Sequence, residues 1–380
     1  MGGDGTRWPG GYRPVLTHVV AAVVGAAVLG GVYWVGGQRV RPVTPVAGPD
    51  PRTALPDAYA WTALPAAEFP IPPYAEHLAG VKIVLDPGHG GRGDRPKWKR
   101  GPTGLREAEV NLRVAQFLRE FLLAVGAEVH MTREADVYLA ADMSADLARR
   151  AALANALPAD LFLSIHHNGA DEPAANYTSM WYHGTGDHSP ASRQAARWLL
   201  TALNEHLRLE QHLPCPLMSD TEMYESGFAV LRLADVPAVL GESCFHSNPE
   251  QEALLRDPVY NRREAYAYFL GLAQWAQAGL PRVRLATAGR VRGGQKVEVV
   301  LEDGLSRRSG WGGRVSKIVT STIIVRLNGE PLGCEADLAR GRLVVRLPRW
   351  LRAPAELYVD FENIFGQSVL HPVLTLPVGN

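Results

Sequence analysis

Residues 81 to 91 read VKIVLDPGHGG, an apolar run of strand length that ends at once in proline and glycine. Such a run, bounded by residues that break regular structure, predicts a buried β-strand with a tight exit. The exit leaves His89 at the carboxyl end of the strand, where ligand sites of open α/β sheets collect. A lone histidine in a glycine-rich turn is more often a plain loop residue, so His89 needs partners before it indicates a site.

The sequence around this strand alternates short apolar runs with helical patterns, which predicts one sheet covered by helices. Apolar residues recur at helical spacing between 110 and 125, and Gly126 follows as a natural C-terminal stop. The other predicted helices cover 146–157, 192–207 and 260–278. The predicted strands cover 81–86, 128–132, 161–167, 179–183 and 238–243. The fold class is therefore α/β, with a single twisted sheet flanked by helices.

A second histidine position follows the strand LFLSIHHNG, residues 161 to 169. His166 and His167 are adjacent, and adjacent strand residues point to opposite faces of a sheet. Only one of them can join His89, and the spacing alone leaves the choice open. His183 and His188 follow another strand and would line the same cleft.

A carboxylate would complete a catalytic zinc site, which typically uses three protein ligands and keeps one position open. Glu107 and Glu109 begin the predicted amphipathic helix in GLREAEVNL, residues 104 to 112. Acidic residues in a first helical turn also interact favourably with the helix dipole, so the alternative is that these glutamates stabilise the helix and bind no metal. Either glutamate could be the ligand on this evidence.

A fourth candidate comes from VPAVLGESCFHSNPE, residues 236 to 250. Glu242 follows an apolar strand, so its carboxylate should reach the same rim and be partly desolvated. Desolvation raises the pKa of a carboxyl group toward the range useful for proton transfer. The alternative is an ordinary glutamate in an exposed loop. With Glu242 at this rim, Cys244 and His246 would also lie near the metal.

Residues 281–380 lack helical patterns and read as short strands separated by turn residues. Asn328-Gly329 is a strong hairpin signal. This segment is predicted to be a small all-β domain, a sandwich.

The N-terminal run 15–35 contains no aspartate, glutamate, lysine or arginine. It has the length of a membrane-spanning helix, about 20 residues. Signal-peptide cores are shorter, so an uncleaved anchor is preferred over a cleaved signal. Segment 1–14 would then be cytoplasmic, and the proline-rich segment 36–78 would be a semi-rigid linker.

Composition excludes some classes of protein. The chain has 39 basic and 39 acidic residues, so nucleic acid is not an expected partner. Its three cysteines, at 215, 244 and 334, form no zinc-ribbon spacing and imply no disulfide framework.

Five segments in order resemble the zinc-dependent N-acetylmuramoyl-L-alanine amidases, a family of cell-wall hydrolases. The resemblance covers about residues 79 to 278. The segments are IVLDPGHGG, GLREAEVNL, MTREADVYL, LARRAALANALPADLFLSIHHNG and VLRLADVPAVLGESCFHSNPEQEALL.

By position, the resemblance implies that His89, Glu107 and His166 are the zinc ligands and that Glu242 is the catalytic glutamate. It further implies a catalytic domain over 79–280. The implied reaction is hydrolysis by a zinc-activated water of the amide between N-acetylmuramic acid and the L-alanine of the stem peptide. Asp86 could orient the site from behind the ligands.

The expected partner is peptidoglycan, with an unknown regulatory protein as a further possibility. Peptidoglycan lies outside the cytoplasmic membrane, so the catalytic domain is expected there, anchored by 15–35 or secreted if that segment is cleaved. Two alternatives stay open: a non-catalytic envelope protein that binds peptidoglycan, and a zinc peptidase that cuts within the stem peptide.

Overall fold

The computed structural model of the protein describes residues 69–91, 100–286, 289–305, 317–352 and 354–377. The predicted segment 1–14, the span 15–35 and the linker up to residue 68 lie outside these ranges. Within them, no helix has the length and apolar character needed to cross a membrane.

A six-stranded sheet forms the centre of the first part of the chain, in the order β2-β1-β3-β6-β4-β5. Strands β1, β2, β3 and β6 are parallel, whereas β4 runs antiparallel to β6. All five predicted strands are present, and β5 is an addition too short to give a sequence pattern. The bounds are β1 Lys82–Pro87, β2 Glu128–Met131, β3 Leu161–Asn168, β4 Ser179–Tyr182, β5 Leu217–Ser219 and β6 Ala238–Phe245.

Helices cover both faces of this sheet, so the predicted α/β fold is confirmed. Helices α1, α3 and α6 bury one face, and α2 and α4 bury the other. The bounds are α1 Glu107–Ala124, α2 Met143–Ala156, α3 Pro190–Leu207, α4 Ala229–Arg232, α5 Pro249–Leu255 and α6 Pro258–Gln277. Short 3-10 helices cover Pro73–Leu78, Asp220–Glu222 and Thr320–Thr322.

The four predicted helices begin two or three residues earlier than their apolar pattern does. Asp142 and Asp257 cap α2 and α6 by accepting hydrogen bonds from backbone N–H groups of the first turn. Proline occupies the first turn of α3 and of α6. A capped first turn contributes little apolar surface, so hydrophobic periodicity does not detect it.

The C-terminal part is all-β, as predicted. It contains two four-stranded sheets, β10-β9-β13-β14 and β11-β12-β8-β7, whose inner faces share one apolar core. Asn328 and Gly329 both have positive φ, 49° and 86°, as a two-residue type I′ hairpin requires. The bounds are β7 Arg282–Leu285, β8 Lys296–Glu302, β9 Ile324–Leu327, β10 Glu330–Pro331, β11 Cys334–Asp337, β12 Arg342–Arg346, β13 Ala355–Asp360 and β14 Val373–Leu376.

Buried polar contacts join the two parts. Asp160, at the start of β3, accepts a hydrogen bond from the Lys82 backbone N–H at 3.0 Å. The same carboxylate lies 2.8 Å from the Arg282 guanidinium and 3.7 Å from the His371 ring. Burial works against ionisation of Asp160, but His371 and Arg282 outweigh it, and the pKa falls to about 2. The ionised carboxylate therefore stabilises the junction.

Asp160→Asn is expected to lower the free energy of unfolding by about 2 kcal/mol near pH 7, because a pKa depressed from 3.8 to about 2 stabilises the fold by that amount. The contribution is fully present above about pH 4 and is lost as pH falls through the folded-state pKa of about 2. In urea unfolding between pH 7 and pH 2, the difference in free energy of unfolding between wild type and Asp160→Asn should therefore become smaller as the pH falls.

Asp337→Asn is the matched control, since Asp337 makes an exposed ion pair with Arg340. It should change stability by less than about 1 kcal/mol at every pH. A gap between wild type and Asp160→Asn that stays constant over the whole pH range would contradict the role given to Asp160.

Candidate active site

Three side chains from separate elements converge near the carboxyl ends of β1 and β3. His89 Nε2 lies 3.0 Å from Glu107 Oε2, and His166 Nδ1 lies 3.1 Å from Glu107 Oε1. The two imidazole rings meet edge to face with centroids 4.7 Å apart. Among the described residues, these three form the one set of ligand side chains close enough together to hold a metal ion.

The turn after β1 explains why glycines surround His89. His89 itself has a φ of 60°, in the left-handed region that side chains usually avoid. A Cβ on Gly88 would lie 2.2 Å from the His166 ring, and one on Gly90 would lie 2.2 Å from the Val137 carbonyl oxygen. The turn can therefore bring the two histidines together only with glycine at these positions.

The two adjacent histidines of β3 have different surroundings. His166 faces Glu107, whereas the His167 ring points to the opposite face of the sheet. There it lies fully buried, with Nδ1 2.7 Å from Asn111 Oδ1 and Nε2 3.0 Å from Glu264 Oε2. The other oxygen of Glu264 accepts a hydrogen bond from the Ser243 hydroxyl at 2.8 Å. His167 is thus part of a polar network that ties α1 and α6 to the sheet.

The two glutamates at the start of α1 also separate. Glu107 is fully buried between the two histidines and accepts a further hydrogen bond from the His167 backbone N–H at 3.3 Å. Glu109, two residues along the helix, points away and forms a half-exposed ion pair with Arg113 at 3.7 Å. Only Glu107 belongs to the convergent group.

Glu242 lies beside this group on the next strand. In the parallel pairing of β3 with β6, Glu242 is opposite His166, so both side chains are on the same face of the sheet. Two tyrosines lie near its carboxylate: burial raises the pKa of Tyr177 and that of Tyr224, the latter to about 12, and the charge of Glu242 adds to both shifts. Neither tyrosine was predicted from the sequence, because a loop tyrosine carries no spacing signal.

His183, His188 and Cys244, which were predicted near the cleft or the metal, lie elsewhere. Because β4 runs antiparallel to β6, its carboxyl end lies at the opposite end of the strands from the candidate metal site. There, His183 lies 3.0 Å from buried Asp220. The ring of His188 lies against that of His183, with centroids 5.2 Å apart. The prediction that both line the cleft was wrong, because β4 runs antiparallel to β6 and ends away from the candidate metal site. Cys244 is buried in the core on the α1, α3 and α6 side.

The donor set fits a catalytic metal. Two imidazole nitrogens and one carboxylate are ligands that zinc accepts, and three protein ligands leave a position for reacting groups. The Glu107 side chain is fully buried, whereas 28% of the His89 side chain and 13% of the His166 side chain are exposed. The group is therefore fixed inside the protein at Glu107 and open to solvent at the two histidines.

The family model described as N-acetylmuramoyl-L-alanine amidase matches residues 83–274, a range that contains all four candidate residues. The chain belongs to this family. The match spans the six-stranded sheet and its helices and ends before β7, so the amidase family accounts for the α/β part of the chain.

Named relatives agree with this assignment. The chain is 30% identical to the probable cell wall amidase LytH of Staphylococcus epidermidis, over 52% of this chain and 59% of that protein. It is 29% identical to the amidase AmiC of Neisseria meningitidis, over 51% of this chain and 52% of that protein. This chain thus spans little more than half the length of these amidases. A solved amidase, Ami1 of Mycobacterium smegmatis, is 25% identical over 52% of this chain and 98% of that one, with a TM-score of 0.45.

Proposed function

We propose that this protein hydrolyses the amide bond between N-acetylmuramic acid and the L-alanine of the peptidoglycan stem peptide. The observation that carries the proposal is the convergence of His89, Glu107 and His166, with Glu242 opposite His166 on the neighbouring strand, inside the region that matches the amidase family. His89, Glu107 and His166 are proposed to bind zinc, and Glu242 is proposed to be the catalytic acid and base.

A zinc ion held there would supply Lewis acidity, which polarises the scissile carbonyl group and makes a water molecule more acidic. Glu242 accepts the proton of the attacking water and delivers it to the departing amine nitrogen of L-alanine. Buried Glu107 keeps the two histidine rings at fixed positions on either side of its carboxylate. The exposed side of the histidines is the side from which the glycan and its peptide approach.

The chain is further proposed to work in the cell envelope, with 79–280 as catalytic domain and 281–380 as a separate β domain. The apolar run 15–35 would anchor it in the cytoplasmic membrane, with 1–14 inside and 36–78 as linker. The end of that linker is part of the folded unit, because Phe69, Ala75 and Leu78 pack into the core of the catalytic domain. The substrate requires this orientation, since peptidoglycan lies outside the membrane. Protection of the catalytic domain from protease added to spheroplasts would contradict the orientation.

The reaction is tested by incubating the full chain, purified in detergent, with sacculi and analysing the soluble products by mass. Free stem peptides that begin with L-alanine are expected. A chelator should reduce their release at least about 100-fold, because the hydrolysis depends on Lewis acidity, and added zinc should restore it.

The same analysis separates the alternatives. Fragments cut within the stem peptide would indicate a zinc peptidase instead. Retention of the protein on sacculi with no product, with or without zinc, would indicate a non-catalytic peptidoglycan-binding protein. Release of stem peptides that continues unchanged in chelator would contradict the metal-dependent mechanism.

A further inference from the structure

We propose that Arg133 and Arg150 are positioning residues, which hold the turn Asp86 to His89 in the shape that lets His89 join Glu107 and His166 around a metal. The proposal rests on the proposed zinc site. It also gives a role to the segment MTREADVYL, which contains no proposed ligand, and to LARRAALAN, the first part of the segment that ends in His166 and His167.

Arg133 connects the His89 turn to the helix that carries Glu107. Its Nε donates to the Pro87 carbonyl oxygen at 2.8 Å, and its Nη2 donates to those of Gly88 at 2.9 Å and Ala108 at 2.7 Å. Arg133 comes two residues after the end of β2, and its side chain is buried. Because Ala108 is the neighbour of Glu107, one guanidinium sets the separation between the two elements that supply His89 and Glu107.

Arg150, on α2, holds the same turn from the other side. Its Nη1 donates to the Pro87 carbonyl oxygen at 3.0 Å, and its Nη2 donates to that of His89 at 2.7 Å. Nη1 also lies 2.8 Å from Asp86 Oδ1, and Nε lies 2.9 Å from Asp146 Oδ2. The carbonyl oxygens of three successive residues, 87 to 89, thus receive hydrogen bonds from the two arginines.

Asp86 extends this arrangement to β3. Its carboxylate accepts hydrogen bonds from the hydroxyls of Thr132 at 2.6 Å and Ser164 at 2.7 Å as well as from Arg150. Burial alone would raise the pKa of Asp86, but Arg150 and the two hydroxyls hold it below its usual range. Asp86 was predicted to orient the site, and it contacts Arg150 and Ser164, two residues before His166.

The arrangement places two cations close together inside the protein. Burial lowers the pKa of Arg133, the nearby Arg150 charge lowers it further, and it reaches about 10. A single arginine, or neutral side chains, would avoid the repulsion between these two guanidinium groups. A rigid guanidinium has five N–H donors in one plane, whereas the lysine ammonium is a single flexible point. The left-handed conformation of His89 needs such a fixed set of donors to persist.

The test measures zinc affinity of the full chain by competition with a chromogenic chelator. Arg133→Lys and Arg150→Lys keep the positive charge but lose the forked donors. Each is expected to weaken zinc binding about 10- to 100-fold, as loss of outer contacts to a metal ligand does. Arg113→Lys is the matched control: Arg113 is equally buried and donates to the Leu255 carbonyl oxygen at 2.9 Å, away from the His89 turn.

Melting temperatures of the zinc-free proteins separate positioning from general stability. The two test variants should melt no lower than Arg113→Lys, which should bind zinc as wild type does. Wild-type affinity in both test variants, or an equal loss in the control, would overturn the proposal. If the wild-type protein binds zinc but releases no stem peptide, the proposed function alone is refuted. If it binds no zinc, both the proposed function and the positioning role of the two arginines are refuted.

Discussion

Glu242→Gln is expected to lower the turnover number for stem-peptide release about 100- to 10,000-fold, the range that a positioned acid-base group contributes. Glutamine keeps the shape of the side chain but cannot accept the proton of the attacking water. Glu242 is opposite His166 on the sheet but is not one of the three convergent ligand side chains. Zinc affinity should therefore stay within a few-fold of wild type, as measured by chelator competition beside the sacculus assay.

Glu250→Gln is the control for this prediction. Glu250 is an exposed residue in the first turn of α5, only eight positions after Glu242. It should retain wild-type turnover. Wild-type turnover in Glu242→Gln would remove Glu242 from the mechanism, and loss of zinc together with turnover would make it part of the metal site instead.

Local patterns were sufficient to predict the main elements of the fold. The strand before His89 is buried on both faces and reads as a continuous apolar run, whereas the helix before Gly126 buries one face, so its apolar residues recur at helical spacing. β5 is only three residues long, and α4 only four, and neither repeats a pattern often enough to be recognised. The direction of β4 was also unpredictable, because pairing depends on contacts between distant segments, and His183 was misplaced for that reason.

The site was only partly predictable from the residues themselves. Strand ends indicated where His89 and Glu242 would meet, and period-two alternation required His166 and His167 to separate without saying which faces the metal. The arginines around the His89 turn gave no signal at all. Arg133 and Arg150 donate mainly to backbone carbonyl oxygens, which every residue has, so sequence cannot show which side chain will reach them.

The paired variants His166→Ala and His167→Ala should have opposite effects, although the residues are neighbours. His166→Ala is expected to weaken zinc binding more than about 100-fold, beyond the loss typical of outer contacts. It should leave the zinc-free protein within about 1 kcal/mol of wild-type stability, because His166 lies at the partly exposed rim of the site.

His167→Ala should instead destabilise the protein, because Asn111 and Glu264 lose the side chain that joins them in the core. Removing one partner of a buried polar pair costs about 3 kcal/mol. Zinc affinity of the folded protein should stay within about 10-fold of wild type, since Glu107 contacts only the backbone N–H of His167. Urea unfolding and zinc titration of both variants measure the two effects. The reverse pattern would assign the metal to His167 and place the site on the other face of the sheet, away from His89.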